Sequence, residues 1–376
     1  EKKLVHPSLL VLDIHEACIK AVVLKQHIPP LKPLPQCSAL TKYLTQTPKN
    51  KPTTTDSNFL SNTVMKTKIT YSLLAAAAAC SLVNAQTTAY TTPVGYYNYD
   101  AKAGGNLFVP ALVEASAFAG AITASSSNTI TVSSGAITAN AFDAANGYAT
   151  HYVEITQAGS NQGVVIDIAS NTNSVITLAS DISALNLAGT ESILIRPHVT
   201  LKSSLVGAES NLVDYNDSAT FYRSDGSIAT FYYIGGGDWS SDFATADGNN
   251  FPIVPGTGFV LNVGADVALT VSGEVKDSAT VVQLKGGIVN IVGPVNPLVG
   301  SSDQIANLGF ANLEAYADSL TVYTQGDLGI VGTYFSLGDG TVSLDFSSPS
   351  QDTFAFTTGG VVTASADTSL RIFSGL

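Results

Sequence analysis

From residue 119 onward the chain alternates apolar and polar positions in runs of about five, broken by short polar turns, and a period of two predicts strands. Ala121-Ile122-Thr123, the turn Ser125 to Asn128 and Thr129 to Val132 read as strand, turn, strand. His151 to Thr156, Gly163 to Ile168, Val175 to Leu178 and Ile193 to Arg196 continue the pattern. Farther on, Thr220 to Arg223 and Ile228 to Ile234 flank Ser224-Asp225-Gly226, and Asp-Gly between alternating aromatic runs predicts a hairpin. Phe259 to Leu261, Ala268 to Val275, Val281 to Leu284, Ile288 to Val292, Leu320 to Tyr323 and Val342 to Phe346 are further strands. Only Ser302 to Ala317 spaces its apolar residues (Ile305, Leu308, Leu313) for one helical face, with Gly309 weakening it. The expected fold class is all-β: small barrel or sandwich units, two in number, with at most one short helix. Ile122 to Val132 is loosely echoed by Ile168 to Leu178, without the fixed period of a solenoid.

The segment before this region has a different character. The single methionine, Met65, is followed by Lys66-Thr67-Lys68, an apolar run from Ile69 to Val83, and Val83-Asn84-Ala85 before Gln86. A charged start, a short apolar stretch and small residues at a cleavage position predict a signal peptide over 65–85, cut between Ala85 and Gln86. The run is shorter than the ~20 residues a membrane span needs, so no transmembrane span is expected. An alanine-rich buried helix and a lipoprotein cut before Cys80, after Ala77-Ala78-Ala79, are the alternatives. Residues 1–64 hold 8 of the 17 basic residues and 7 of the 15 prolines, and read as an upstream or disordered segment. The remaining expectations are an extended segment over 86–118, a first β domain over 119–202, a junction at Ser203 to Ser218 and a second β domain over 219–376.

Past Ala85 lie 291 residues with 7 Lys+Arg, 25 Asp+Glu and a formal charge of −18. Nucleic acid is repelled by such a chain and is not an expected partner. All three cysteines stand at or before position 80, which removes disulfides, thiolate nucleophiles and cysteine-bound metals from that part.

The order of several short motifs resembles an uncharacterised secreted β-rich family frequent in verrucomicrobial bacteria. They are Pro93-Val94-Gly95-Tyr96, Asn128 to Val132, Ile195-Arg196-Pro197-His198-Val199-Thr200-Leu201, Pro255 to Val260 and Ser272 to Val275. The resemblance spans nearly all of the chain beyond Ala85 and implies an exported bacterial protein with no assigned activity.

Candidate chemistry is sparse. His151 and His198 are the two histidines beyond Ala85, and His151 and Glu154 fall on opposite faces of a strand. No Gly-x-Ser-x-Gly elbow marks an activated serine. Paired carboxylates for glycoside cleavage remain a third reading, although Asp225, Asp247 and Asp339 sit beside glycines as turn formers. No cofactor is expected beyond one candidate, a structural calcium at Asp238, Asp242 and Asp247, whose oxygens suit a hard cation. Tyr232 and Trp239 are the candidate sugar-stacking residues, with alternation sending Phe231 and Tyr233 to one face and Tyr232 to the other. The expectation is an exported structural or cell-surface protein, extracellular or periplasmic and without enzymatic activity. It is expected to self-assemble by strand pairing through the uncharged, tyrosine-rich segment Gln86 to Tyr99. The alternative to self-assembly for that segment is an edge strand of its own domain. The alternative function is a glycan-binding module.

Overall fold

The computed structural model describes residues 94–372, apart from 224, 277, 296–308, 310, 325–327 and 350–358. The expected signal peptide with its Ala85–Gln86 cleavage point, Cys80, and segment 1–64 lie outside the described residues, as does most of the helix expected at Ser302 to Ala317. Of the part of that helix that is described, Gly309 bridges Arg371 in antiparallel fashion and 311–317 forms turns and bends. The protein is all-β, with one helical turn at Leu201–Ser204 and a 3-10 turn at Ser183–Leu185 among the described residues. None of the described helices is long and apolar enough to cross a membrane.

The first layer pair opens the chain. Strand β1 (Val94–Ala101) runs antiparallel to β16 (Val267–Glu274), with Val94 opposite Glu274. This ribbon covers a five-stranded sheet of β13 (Asp238–Ser240), β12 (Ile228–Gly235), β11 (Ser218–Tyr222), β15 (Phe259–Val263) and β2 (Gly104–Phe108), in that order. Alternation explains the layering: Phe259, Leu261 and Val263 turn inward, as do Val267, Leu269 and Val271 of the ribbon. Between the layers lie Tyr99, Phe108, Phe221, Phe231, Phe251 and Trp239. Tyr99 meets Phe108 edge to face at 5.0 Å.

Between β2 and β11 the chain leaves this sandwich and builds a separate antiparallel sheet. Its order is β3 (Phe118–Ala121), β9 (Ser192–Pro197), β6 (His151–Ile155), β7 (Val165–Asn171), β8 (Val175–Leu178), β5 (Thr129–Thr131) and β4 (Ala124–Ser125). Its core is largely isoleucine: Ile122, Ile130, Ile155, Ile166, Ile168, Ile176, Ile193 and Ile195. The chain returns through β10 (Val199–Thr200), which pairs with β14 (Pro252–Ile253). The helical turn follows, with Thr200 and Ser203 capping each other.

The last third repeats the first sandwich. A ribbon of β17 (Thr280–Leu284) and β23 (Thr368–Ile372) covers a sheet of β21 (Val342–Ser343), β20 (Ile330–Ser336), β19 (Ser319–Tyr323), β22 (Gly360–Thr363) and β18 (Val289–Val292). Strand for strand, β17, β18, β19, β20, β21, β22 and β23 take the places of β1, β2, β11, β12, β13, β15 and β16. Side chains repeat as well. Thr220 and Thr230 face each other with Oγ1 atoms 3.1 Å apart, and Thr321 and Thr333 do so at 3.0 Å. Lys102 pairs with Asp266, whose other oxygen accepts the Ala103 amide; Lys285 pairs with Asp367, whose other oxygen accepts the Gly286 amide.

This duplication revises the expected organisation. Residues 219–376 hold parts of two sandwiches. The expected extended segment 86–118 contributes β1 and β2 to the first of them. The expected donor strand is occupied within its own chain: from Val94 onward it pairs with β16 and buries Tyr99, while 86–93 lie outside the described residues. Tyr99 is spent on this intramolecular core and Tyr97 is half-buried, whereas Tyr96 stays exposed.

The three modules are joined by direct contacts. Leu107, Val109 and Ile291 form a small core between the sandwiches, and the Gly293 amide donates to the Gly256 carbonyl. The inserted sheet meets the second sandwich where the Val281 amide donates to the Gly163 carbonyl and the Arg371 guanidinium donates to the Ser160 and Gln162 carbonyls. It meets the first sandwich at a buried ion cluster: Arg196 bonds Glu154 at 3.3 Å and Glu274 at 2.6 Å, and Lys276 bonds Glu154 at 2.5 Å.

Candidate functional site

The residues carrying the clearest local constraint occur twice. Before β11, the carboxylate of Asp217, fully buried, accepts the Val213 amide at 2.9 Å and the Gly264 amide at 2.8 Å. The Tyr215 amide donates to the Tyr233 carbonyl and the Tyr233 amide to the Asp217 carbonyl. This bonding draws the chain into a tight turn with Tyr215 in the left-handed region at φ 61°. Before β19, buried Asp318 accepts the Glu314 and Ser365 amides, Tyr316 donates to the Ser336 carbonyl, and Tyr316 stands at φ 63°.

A second turn follows β13 and β21. One oxygen of Asp242 accepts the Ala244 and Thr245 amides and the Ser240 hydroxyl, leaving Phe243 at φ 62°. Asp345 accepts the Ser347 amide and the Ser343 hydroxyl, leaving Phe346 at φ 62°. These donors hold both carboxyl groups far below the usual carboxylate range: for Asp242 the Thr245 amide contributes most, and for Asp345 the Ser347 side chain.

The two turns bring aromatic rings together on the surface. Phe243 stacks on half-buried Tyr232 with centroids 4.2 Å apart, and Tyr215 lies 6.3 Å from Phe243 at 33°. In the second sandwich Phe346 stacks on half-buried Phe335 at 4.1 Å, and Tyr316 lies 6.2 Å from Phe346 at 33°. Tyr215 and Tyr316 are 61% and 63% exposed, and Phe243 and Phe346 are each 45% exposed, so these rings face water rather than the core. A left-handed backbone costs a bulky residue about 1–2 kcal/mol. The other described non-glycine residues with positive φ are Asn140, Asn146, Asn186 and Leu328, three of them the type that tolerates it. Four strained, exposed aromatics at equivalent places in two copies point to a role at the surface.

Of the residues singled out in the sequence, Tyr232 belongs to the first platform. Trp239 does not: it is 1% exposed and packs on Tyr233 inside the first core, so its ring is not offered to a ligand. Phe231 and Tyr233 are buried and Tyr232 is not, as period-two alternation requires. Asp238 bonds Lys202 and Asn249, Asp247 bonds Ser241, and Asp242 closes its own turn. The three candidate calcium ligands are thus engaged in separate hydrogen bonds. Among the described residues no group of three or more His, Cys, Asp or Glu could hold a metal ion. His198 is buried, with Nε2 3.0 Å from Asp167, and His151 lies against Thr150 and Phe142, its pKa lowered by burial.

Tyr215, Phe243, Tyr316, Phe335 and Phe346 escaped notice in the sequence, yet a signal was there. Asn-Leu-x-x-Tyr-x-Asp-Ser-x-Thr-x-Tyr occurs at 211–222 and again at 312–323, and Ser-x-Asp-Phe at 240–243 and 343–346. No protein-family model, curated protein or solved structure matches the chain.

Proposed function

We propose that the protein is an exported, non-enzymatic cell-surface protein that holds a ligand on the twin aromatic platforms. The observation that carries this reading is the recurrence of the same exposed pair of left-handed aromatics, stacked on a strand residue, in both sandwiches. Exposed aromatic patches mark interaction sites. The reading asks for no bond-making: the carboxylates beside the rings, Asp242 and Asp345, are already engaged by amide and hydroxyl donors. Export is the expectation drawn from Met65 to Ala85. Strand donation by β1 is no part of the reading, because β1 is paired with β16.

Glycine suits a left-handed backbone, so Tyr215→Gly with Tyr316→Gly removes two rings without adding strain. The test is retention of purified protein on washed envelopes of the cells that secrete it. Retention of the double variant is expected to fall at least tenfold below that of the unaltered chain. Equal retention refutes the reading.

A further inference from the structure

We infer that the ligand of the platforms is an uncharged polysaccharide, gripped at two points by the two sandwiches of one chain. This inference rests on the platform reading and adds the chemistry of what is bound.

Size is the first argument. Each platform consists of three rings, only two of them well exposed. An aromatic side chain buries roughly 150–250 Å² when fully covered. A stable protein partner needs roughly 1,200–2,000 Å² in total. A platform is therefore too small for a protein face but suits one or two sugar rings. The C–H bonds on one face of a pyranose are polarised positive at hydrogen, and they meet the negative face of an aromatic ring.

Charge is the second. The chain beyond Ala85 carries −18. Asp214 and Asp242 adjoin Tyr215 and Phe243 in sequence, and Asp345 adjoins Phe346. An anionic polymer or an anionic membrane surface would be repelled by that field. An uncharged polymer is not.

Duplication is the third. One ring pair holds a sugar weakly. Two equivalent platforms on one chain match a ligand that presents the same unit repeatedly, and linking two weak sites raises affinity by about 10²–10⁴-fold when both engage. This accounts for the same strained geometry in both sandwiches, even though residues at other equivalent places differ, such as Trp239 against Val342 in the two cores.

The experiment uses the full chain against four uncharged polymers (cellulose, chitin, amylose and a β-1,3-glucan). The controls are an anionic polymer, alginate, and vesicles of phosphatidylcholine. Binding to at least one uncharged polymer is expected, above binding to alginate and vesicles. Tyr215→Gly and Tyr316→Gly should each lower affinity for that polymer about 10–100-fold, whereas each should lower binding of its short oligosaccharide by no more than about twofold. Tyr215→Asn and Tyr316→Asn, which also suit a left-handed backbone, should reproduce the loss and exclude a folding effect. Failure to bind any of the four, preference for alginate or vesicles, or affinity unmoved by these substitutions overturns the inference. If no glycan binds while envelope retention still depends on Tyr215 and Tyr316, the ligand class falls and the platform reading stands. If envelope retention is independent of both, the platform reading itself falls.

Discussion

Replacing Arg196 by methionine tests the joint between the inserted sheet and the first sandwich. Arg196 lies on β9, its side chain 4% exposed, with Nε 3.3 Å from Glu154 and a terminal nitrogen 2.6 Å from Glu274. Its other terminal nitrogen donates to the Glu114 carbonyl at 2.9 Å. Glu154 is fully buried and also meets Lys276 and the Ser278 hydroxyl. Two carboxylates thus balance two cations out of contact with water. Methionine keeps the apolar stem and removes the charge, leaving the carboxylates with one cation. Removing one partner of a buried pair costs about 3–5 kcal/mol, a large share of the ~5–15 kcal/mol that stabilises a native domain. With a urea slope of about 3 kcal/mol/M, the unfolding midpoint should fall by about 1–1.7 M. Trp239, the only tryptophan in the chain, is buried in the first sandwich and reports its unfolding by fluorescence. Combining Arg196→Met with Glu274→Gln removes one cation and one anion together and should recover about 1–3 kcal/mol. A loss below about 1 kcal/mol for Arg196→Met, or no recovery in the pair, would refute the description of this cluster as a desolvated, balanced lock.

Trp239→Ala should destabilise the first sandwich by about 3–5 kcal/mol, as a core cavity does, measured by loss of far-UV circular dichroism in urea. Gly163→Ala places a Cβ 2.2 Å from the Ala279 carbonyl oxygen at a residue with φ 84°, so it should cost more than about 2 kcal/mol and loosen the insert from the second sandwich, seen as faster proteolysis near residues 160–163. The Asp242 carboxyl is depressed in the folded state, so its contribution is complete above its unfolded value near pH ~4 and is lost as pH falls below that. The stability deficit of Asp242→Asn should therefore shrink between pH 6 and pH 2; a deficit constant with pH would contradict the hydrogen bonding described for this turn.

The all-β class was legible because apolar positions alternate so regularly: Phe259, Leu261 and Val263 point inward with Val260 and Asn262 outward, as any pleated strand with one buried face must. The β11–β12 hairpin was legible from Asp225-Gly226, where Gly226 takes φ 82°. The partnership of β1 with β16 was not, because nothing local links Val94 to Glu274 across the inserted sheet. The same insert hid the duplication. It separates β2 from β11 by more than a hundred residues, whereas β18 and β19 are separated by fewer than thirty, so the repeat has no constant spacing along its length. The aromatic site failed for another reason. Trp239 is the larger and more conspicuous ring, but one position of register places it in the core, while Phe243 faces outward because a turn closed by Asp242 puts it there. That geometry rests on hydrogen bonds between backbone and carboxylate, which period and propensity do not encode.

The twin platforms are proposed as the binding surface of this protein. The most direct measurement compares envelope retention of the unaltered chain with that of a variant carrying Tyr215→Gly, Phe243→Gly, Tyr316→Gly and Phe346→Gly, after matched thermal unfolding has established that both fold. The unaltered chain should be retained and the four-ring variant should wash away. Retention of the folded variant at the level of the unaltered chain would contradict the proposal.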